Sequence, residues 1–130
     1  LGMADTLLDE GARDRLVATC RTSIGDSLRS VTYFTRTAYE QLYLREDLAR
    51  DADLATFIGH EWRAYQTTHD TYGDSELGAY EYTIRSFENG FLLRVTADNE
   101  GVFLTTDGLS IQQFDKVAAA IRTTLATWRE

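Results

Sequence analysis

Two histidines, one cysteine and a scatter of carboxylates are the residues of this chain whose types suit metal or nucleophile chemistry. His60-Glu61 begins like the helical zinc-hydrolase motif, but the second histidine that motif needs four residues on is replaced by Ala64. His69 follows His60 by nine positions. At about 100° per residue that is half a turn out of phase, so on a continuous helix the two rings face opposite ways. No metal site, no cofactor and no catalytic residue is therefore expected. Cys20 falls in step with Leu8, Ala12 and Leu16 at intervals of four, where a thiol serves as a small apolar side chain. A reactive thiolate would need a nearby base or cation. The chain contains no GxGxxG, GxxxxGK[ST] or GxSxG pattern, and Gly73, Gly78, Gly90, Gly101 and Gly108 read as turn glycines.

Two weaker constellations remain. Glu81, Arg85 and Arg94 alternate with apolar residues and could form a polar patch or a carboxylate-binding surface, although such a face is usually just solvated. His69 and Asp70, within the polar segment 67–76, could line a pocket between that segment and the sheet with the strand residues Tyr80 and Tyr82. Tyr33, Tyr39, Tyr43, Tyr80 and Tyr82 all fall on predicted strands, and most of them read as cross-strand packing rather than a ligand platform.

The elements that would position these groups follow from periodicity. Leu8, Ala12, Leu16, Val17, Cys20 and Ile24 predict an amphipathic helix over 5–24, with His69 placed later as a cap or partly buried residue of a second helix and His60 solvated. The segments 28–35 and 39–45 are rich in β-branched and aromatic residues and predict two paired strands. Glu46, Asp47, Asp51 and Asp53 then crowd the start of the second helix, where its dipole favours them, and that helix should end near Thr68. Its apolar positions Leu54, Ile58, Trp62 and Tyr65 form a stripe, and Phe57 widens it beyond what one sheet contact uses. Strands over 79–87, 91–97 and 102–106 follow, joined by Asn89-Gly90 and by 98–101 in hairpin turn chemistry. Ser110 with Gln113 makes a capping box for a last helix whose stripe is Ile111, Phe114, Ala118, Ile121, Leu125 and Trp128.

The order is thus α-β-β-α-β-β-β-α, an α+β fold in which helices cover one antiparallel sheet. With 130 residues, no proline and no linker-like tract, residues 1–130 are expected to form a single domain, Leu1-Gly2 reading as a cloning remnant ahead of Met3. The lone cysteine implies a reducing, cytoplasmic setting, and no apolar run reaches the roughly 20 residues of a membrane span. The chain carries 21 acidic and 13 basic residues for a net charge of -8, with Lys116 its only lysine. Scattered arginines among excess carboxylates exclude counterion-driven binding to nucleic acid. Excess acid with almost no lysine suits life at high salt, where the Debye length shrinks to about 3 Å; an ordinary acidic protein is the alternative.

The element order resembles the roadblock/longin branch of the profilin-like folds, a five-stranded antiparallel sheet with the first and last helices on one face and the middle helix on the other. The stretches YEQLYLREDL, FIGHEW and SFENGFLLRVTADNEGVFLTTDGL resemble a family of small haloarchaeal proteins of uncharacterised activity. The roadblock resemblance implies a non-enzymatic, homodimeric module that binds or regulates a small GTPase. The wide stripe on the middle helix predicts a contact beyond the sheet, at Phe57, His60 and Ala64. The rival reading is a small-molecule sensor or small enzyme using the His69, Asp70, Tyr80 and Tyr82 pocket.

Overall fold

The computed structural model describes residues 2–3, 7–48 and 54–128, with side chains over 7–48 and 56–128. Strand β1 (Gly2–Met3) precedes helix α1 (Glu10–Ile24); β2 (Leu28–Thr35) and β3 (Ala38–Leu44) form a hairpin before α2 (Leu54–Tyr72). Then come β4 (Thr83–Phe87), β5 (Gly90–Ala97), β6 (Glu100–Thr106) and α3 (Ile111–Thr127). The sheet order is β1-β3-β2-β6-β5-β4. The five strands β2 to β6 pair antiparallel, as the patterning predicts. Gly2 and Met3 add a short parallel pairing with Ala38 and Tyr39, which no residue pattern announces.

Helices α1 and α3 share one face of the sheet. Leu8, Ala12, Leu16 and Cys20 meet Val31, Leu93, Val95 and Leu104 together with Phe114, Ala118, Ile121 and Leu125 in the larger core. Helix α1 begins later than 5, because Asp9 caps it by accepting a hydrogen bond from the Ala12 amide at 2.7 Å; Asp5 lies outside the described residues. Gly25, at φ 77°, ends it by donating its amide to the Arg21 carbonyl. The capping box at α3 is present, with the Ser110 side chain on the Gln113 amide and the Gln113 side chain on the Ser110 amide. Ile111, expected on the buried stripe, is instead 69% exposed because it stands in the first turn; Val117 joins the buried Phe114, Ala118, Ile121 and Leu125, and Trp128, at the cap past the helix, is only partly buried.

Helix α2 covers the opposite face through a smaller cluster of Ile58, Trp62, Phe34, Leu92 and Phe103, flanked by Tyr39 and Tyr65. The Trp62 ring meets Phe34 edge-on at 5.4 Å and its indole N–H donates to the Thr35 carbonyl at 2.8 Å. Gly101 lets the Phe34 ring pack closely on β6, since a Cβ there would sit 2.5 Å from the ring. Central β2 is buried on both faces and so shows almost no alternation.

Several boundaries depart from expectation. Helix α2 continues to Tyr72, because its polar last turns are exposed and polarity there imitates a loop. Residues 79–82 stay outside β4. The register Phe87↔Gly90 and Ala97↔Glu100 makes Glu88-Asn89 and Asp98-Asn99 the turn centres, one residue earlier than the glycine signal suggests. Asp47 binds Arg45 rather than opening α2, while Asp51 and Asp53 lie outside the described residues, as does the Leu54 side chain.

Candidate functional site: the outer flank of helix α2 and the polar cluster beneath it

Helix α2 is held by charge as well as by apolar packing. Glu61 follows Ile58 by three positions and precedes Tyr65 by four, so it lies on the buried side of the helix and faces the sheet. On β5 the neighbours of buried Leu93 and Val95 point to the α2 face, which carries Arg94 beneath Glu61. Arg94, only 1% exposed, donates from Nη1 to Glu61 Oε1 at 2.8 Å and to the Glu61 carbonyl at 2.9 Å. Its Nη2 donates to the Tyr80 hydroxyl at 2.5 Å and to Thr83 Oγ1 at 2.8 Å; Tyr80 and Thr83 are themselves bonded. Arg85 on β4 completes the cluster, its Nε donating to Glu61 Oε2 at 2.9 Å. Two guanidinium groups therefore share one buried carboxylate, and α2 has a single rotational setting that satisfies all three.

The expected Glu81, Arg85 and Arg94 face is therefore not a solvated patch. Arg85 and Arg94 converge on Glu61 beneath α2, whereas Glu81 pairs with Arg122 of α3 at 2.9 Å. Glu61 went unmarked in the sequence beyond its place in a broken zinc motif. The available signal was an acidic residue on a helix's apolar stripe together with arginines at alternate strand positions.

These bonds also orient the rest of the helix. Trp62 reaches β2 through Thr35 and Glu61 reaches β4 through Arg85, so the helix flank on the Glu61 side overhangs β4. Phe57 and Ala64, at i-4 and i+3 from Glu61, lie along that flank. Phe57 is 45% exposed, His60 beside it is exposed and Ala64 is partly covered, so the three form one outward strip. On β4, Phe87 shares the α2 face with Arg85 by alternation and is 60% exposed.

The four pocket residues divide between two depressions. His69 and Asp70 line one of about 730 Å³ with Arg36, Tyr65, Asp98 and Asn99. Tyr80 and Tyr82 line another of about 530 Å³ between the end of α2 and α3. His69 is exposed rather than capping or partly buried; its ring lies 5.7 Å from Tyr65 and its Nδ1 3.7 Å from Asp70. Burial pushes the Cys20 thiol up to about 12, which keeps it protonated and unreactive. Among the described residues no group of three or more His, Cys, Asp or Glu side chains converges as metal ligands. No helix among them is long and apolar enough to cross a membrane.

Sheet order, helix placement and the α2 layer define a roadblock-like α+β fold. The gliding protein MglB from Thermus thermophilus shares it, with a TM-score of 0.63 at 14% identity over 95% of this chain and 97% of that one. A structure described as MglB with tetrameric arrangement superposes equally well, at 13% identity over 95% and 96%. Residues 14–126 match the family model described as Domain of unknown function (DUF7522), and the chain belongs to that family. No curated protein matches the sequence significantly.

Proposed function

We propose that this protein is a non-catalytic interaction module that forms a homodimer through the outer flank of α2, with a small GTPase as the class of further partner. The observation that carries the reading is the strip of Phe57, His60 and Ala64 lying outside the sheet contact, next to an outermost strand that presents Phe87. An exposed aromatic beside an open strand edge is a surface that a second chain can cover, by apolar burial and by backbone pairing. The tetrameric arrangement described for MglB supports self-association as a use of this fold. The GTPase partner follows from the roadblock resemblance alone.

The test is light scattering with circular dichroism on wild type, Phe57→Asp and Ile58→Asp. Wild type should be dimeric. Phe57→Asp should be a folded monomer, because its position tolerates charge until a partner covers it. Ile58→Asp should unfold, since Ile58 is fully buried against Phe34 and Phe103. A wild type that is monomeric at every concentration, or a Phe57→Asp variant that remains dimeric, would overturn the assignment.

A further inference from the structure

Between α2 and β4 the chain crosses from one face of the sheet to the other. Tyr80 lies on the α2 side with its ring 6.1 Å from Tyr65, whereas Tyr82 packs against the core under α1 and α3. The crossing leaves the cleft of about 530 Å³, walled by Tyr72 at the end of α2, by Tyr80 and Tyr82, and by Asp115 on α3. Tyr72 is 53% exposed and its ring is open to a ligand.

Two carboxylates share the cleft with the tyrosines, and they differ in what already satisfies them. Arg122 covers Glu81, donating to Oε2 at 2.9 Å and to the backbone carbonyl at 3.2 Å. Asp115 makes no ion pair among the described residues; its Oδ1 accepts the Tyr82 hydroxyl at 3.3 Å. Burial, and then the negative charge of Asp115 and Glu81, raises the Tyr82 phenol above its ordinary value despite Arg122. Among the described residues the cleft is thus an aromatic recess whose wall holds one carboxylate, Asp115, without an ion-pair partner.

We propose that this cleft receives an arginine side chain from the surface of a partner protein, its guanidinium plane against the Tyr72 and Tyr82 rings and its N–H groups on Asp115, since the Tyr80 ring already carries the chain's own Arg94 at 6.0 Å. A planar, weakly hydrated cation satisfies both wall chemistries at once, whereas an ammonium group is compact and strongly hydrated. The chain's own arginines make this contact elsewhere, Arg21 over Tyr43 at 5.2 Å and Arg36 over Trp62 at 5.3 Å. The chain's net charge of -8 favours approach by a basic surface. This site rests on the interaction-module reading but not on self-association through Phe57.

The probe is N-acetyl-arginine methylamide, titrated at low ionic strength while the tyrosine ring signals are followed by NMR. Saturable shifts of Tyr72 and Tyr82 are expected, with no matching response to the uncharged citrulline counterpart and a weaker one to the lysine counterpart. Asp115→Asn keeps an acceptor for Tyr82 but removes the charge, and should weaken binding about tenfold; Tyr72→Ser should weaken it by a similar factor. Both positions are exposed, so dispersion of the remaining signals reports that the fold is kept. Phe57→Asp should bind the probe like wild type, which separates failure of this site from failure of the dimer. The proposal is overturned if no saturable shift occurs, if citrulline or lysine binds equally, or if Asp115→Asn binds as wild type does.

Discussion

Glu61 and Arg94 are buried together, and their joint burial is a poor stabiliser and a strong orienting device. Removing two charges from water costs several kcal/mol each, which their attraction recovers only with good geometry, and Arg94 Nε has no hydrogen-bond partner among the described residues. Breaking the pair is another matter. Arg94→Met should cost about 3–5 kcal/mol by leaving Glu61 desolvated with only the partly exposed Arg85 beside it. The double variant Glu61→Met/Arg94→Met should be far less destabilised than the sum of its parts, since it leaves no buried charge unpaired. Urea unfolding of the cycle measures both, and additivity would show that the two side chains act independently. This pair also marks where residue-level reading stops. Cys20 and the capping Ser110 were legible because local spacing decides their roles. Glu61 meets Arg94 across 33 positions, and nothing in either neighbourhood encodes that meeting.

At the scale of elements, legibility follows how one-sided the environment is. Helix α3 lies with α1 against one face of the sheet, so its apolar stripe and capping box are plain in the sequence. Helix α2 is polar over its exposed last turns and carries a charge on its inner side, which blurred its end and hid its anchor. The cap gives a direct measurement: Ser110→Ala removes the acceptor of the Gln113 amide and should cost about 1 kcal/mol, a fall of about 3–5 °C in Tm. Thermal melting followed by circular dichroism checks it, and an unchanged Tm would mean that the first turn of α3 frays without cost. Ile111, exposed in that turn, should then tolerate a polar substitution. Phe114, the next stripe position and fully covered, should not. Strand existence was equally legible, but the hairpin turns shifted by one residue because a glycine marks a turn without saying which side of it closes the ladder.

For the whole molecule, charge is the property that no single contact explains. The arginines are largely engaged: Arg13 with Glu40, Arg29 and Arg45 with Asp107, Arg85 and Arg94 with Glu61, Arg122 with Glu81. Local pairing of this kind leaves the surplus carboxylates facing one another, and the folded state concentrates them more than the unfolded chain does. Added salt has two opposed effects. It weakens exposed pairs such as Arg45 and Asp107, and it screens the collective repulsion of a net -8. The buried Glu61 pair is little affected by screening. Repulsion should dominate, so raising KCl from about 0.1 M to above about 1 M, which shortens the Debye length from about 10 to 3 Å, should raise Tm at pH 7. Salt also stabilises proteins generically through exclusion from their surface, and pH separates the two causes. Near the pI of about 4.7 the surplus negative charge disappears, so the KCl response should shrink there if repulsion drives it. A response of equal size at both pH values would assign it to exclusion, and a Tm that is flat or falls at pH 7 would mean that the exposed arginine pairs outweigh the repulsion.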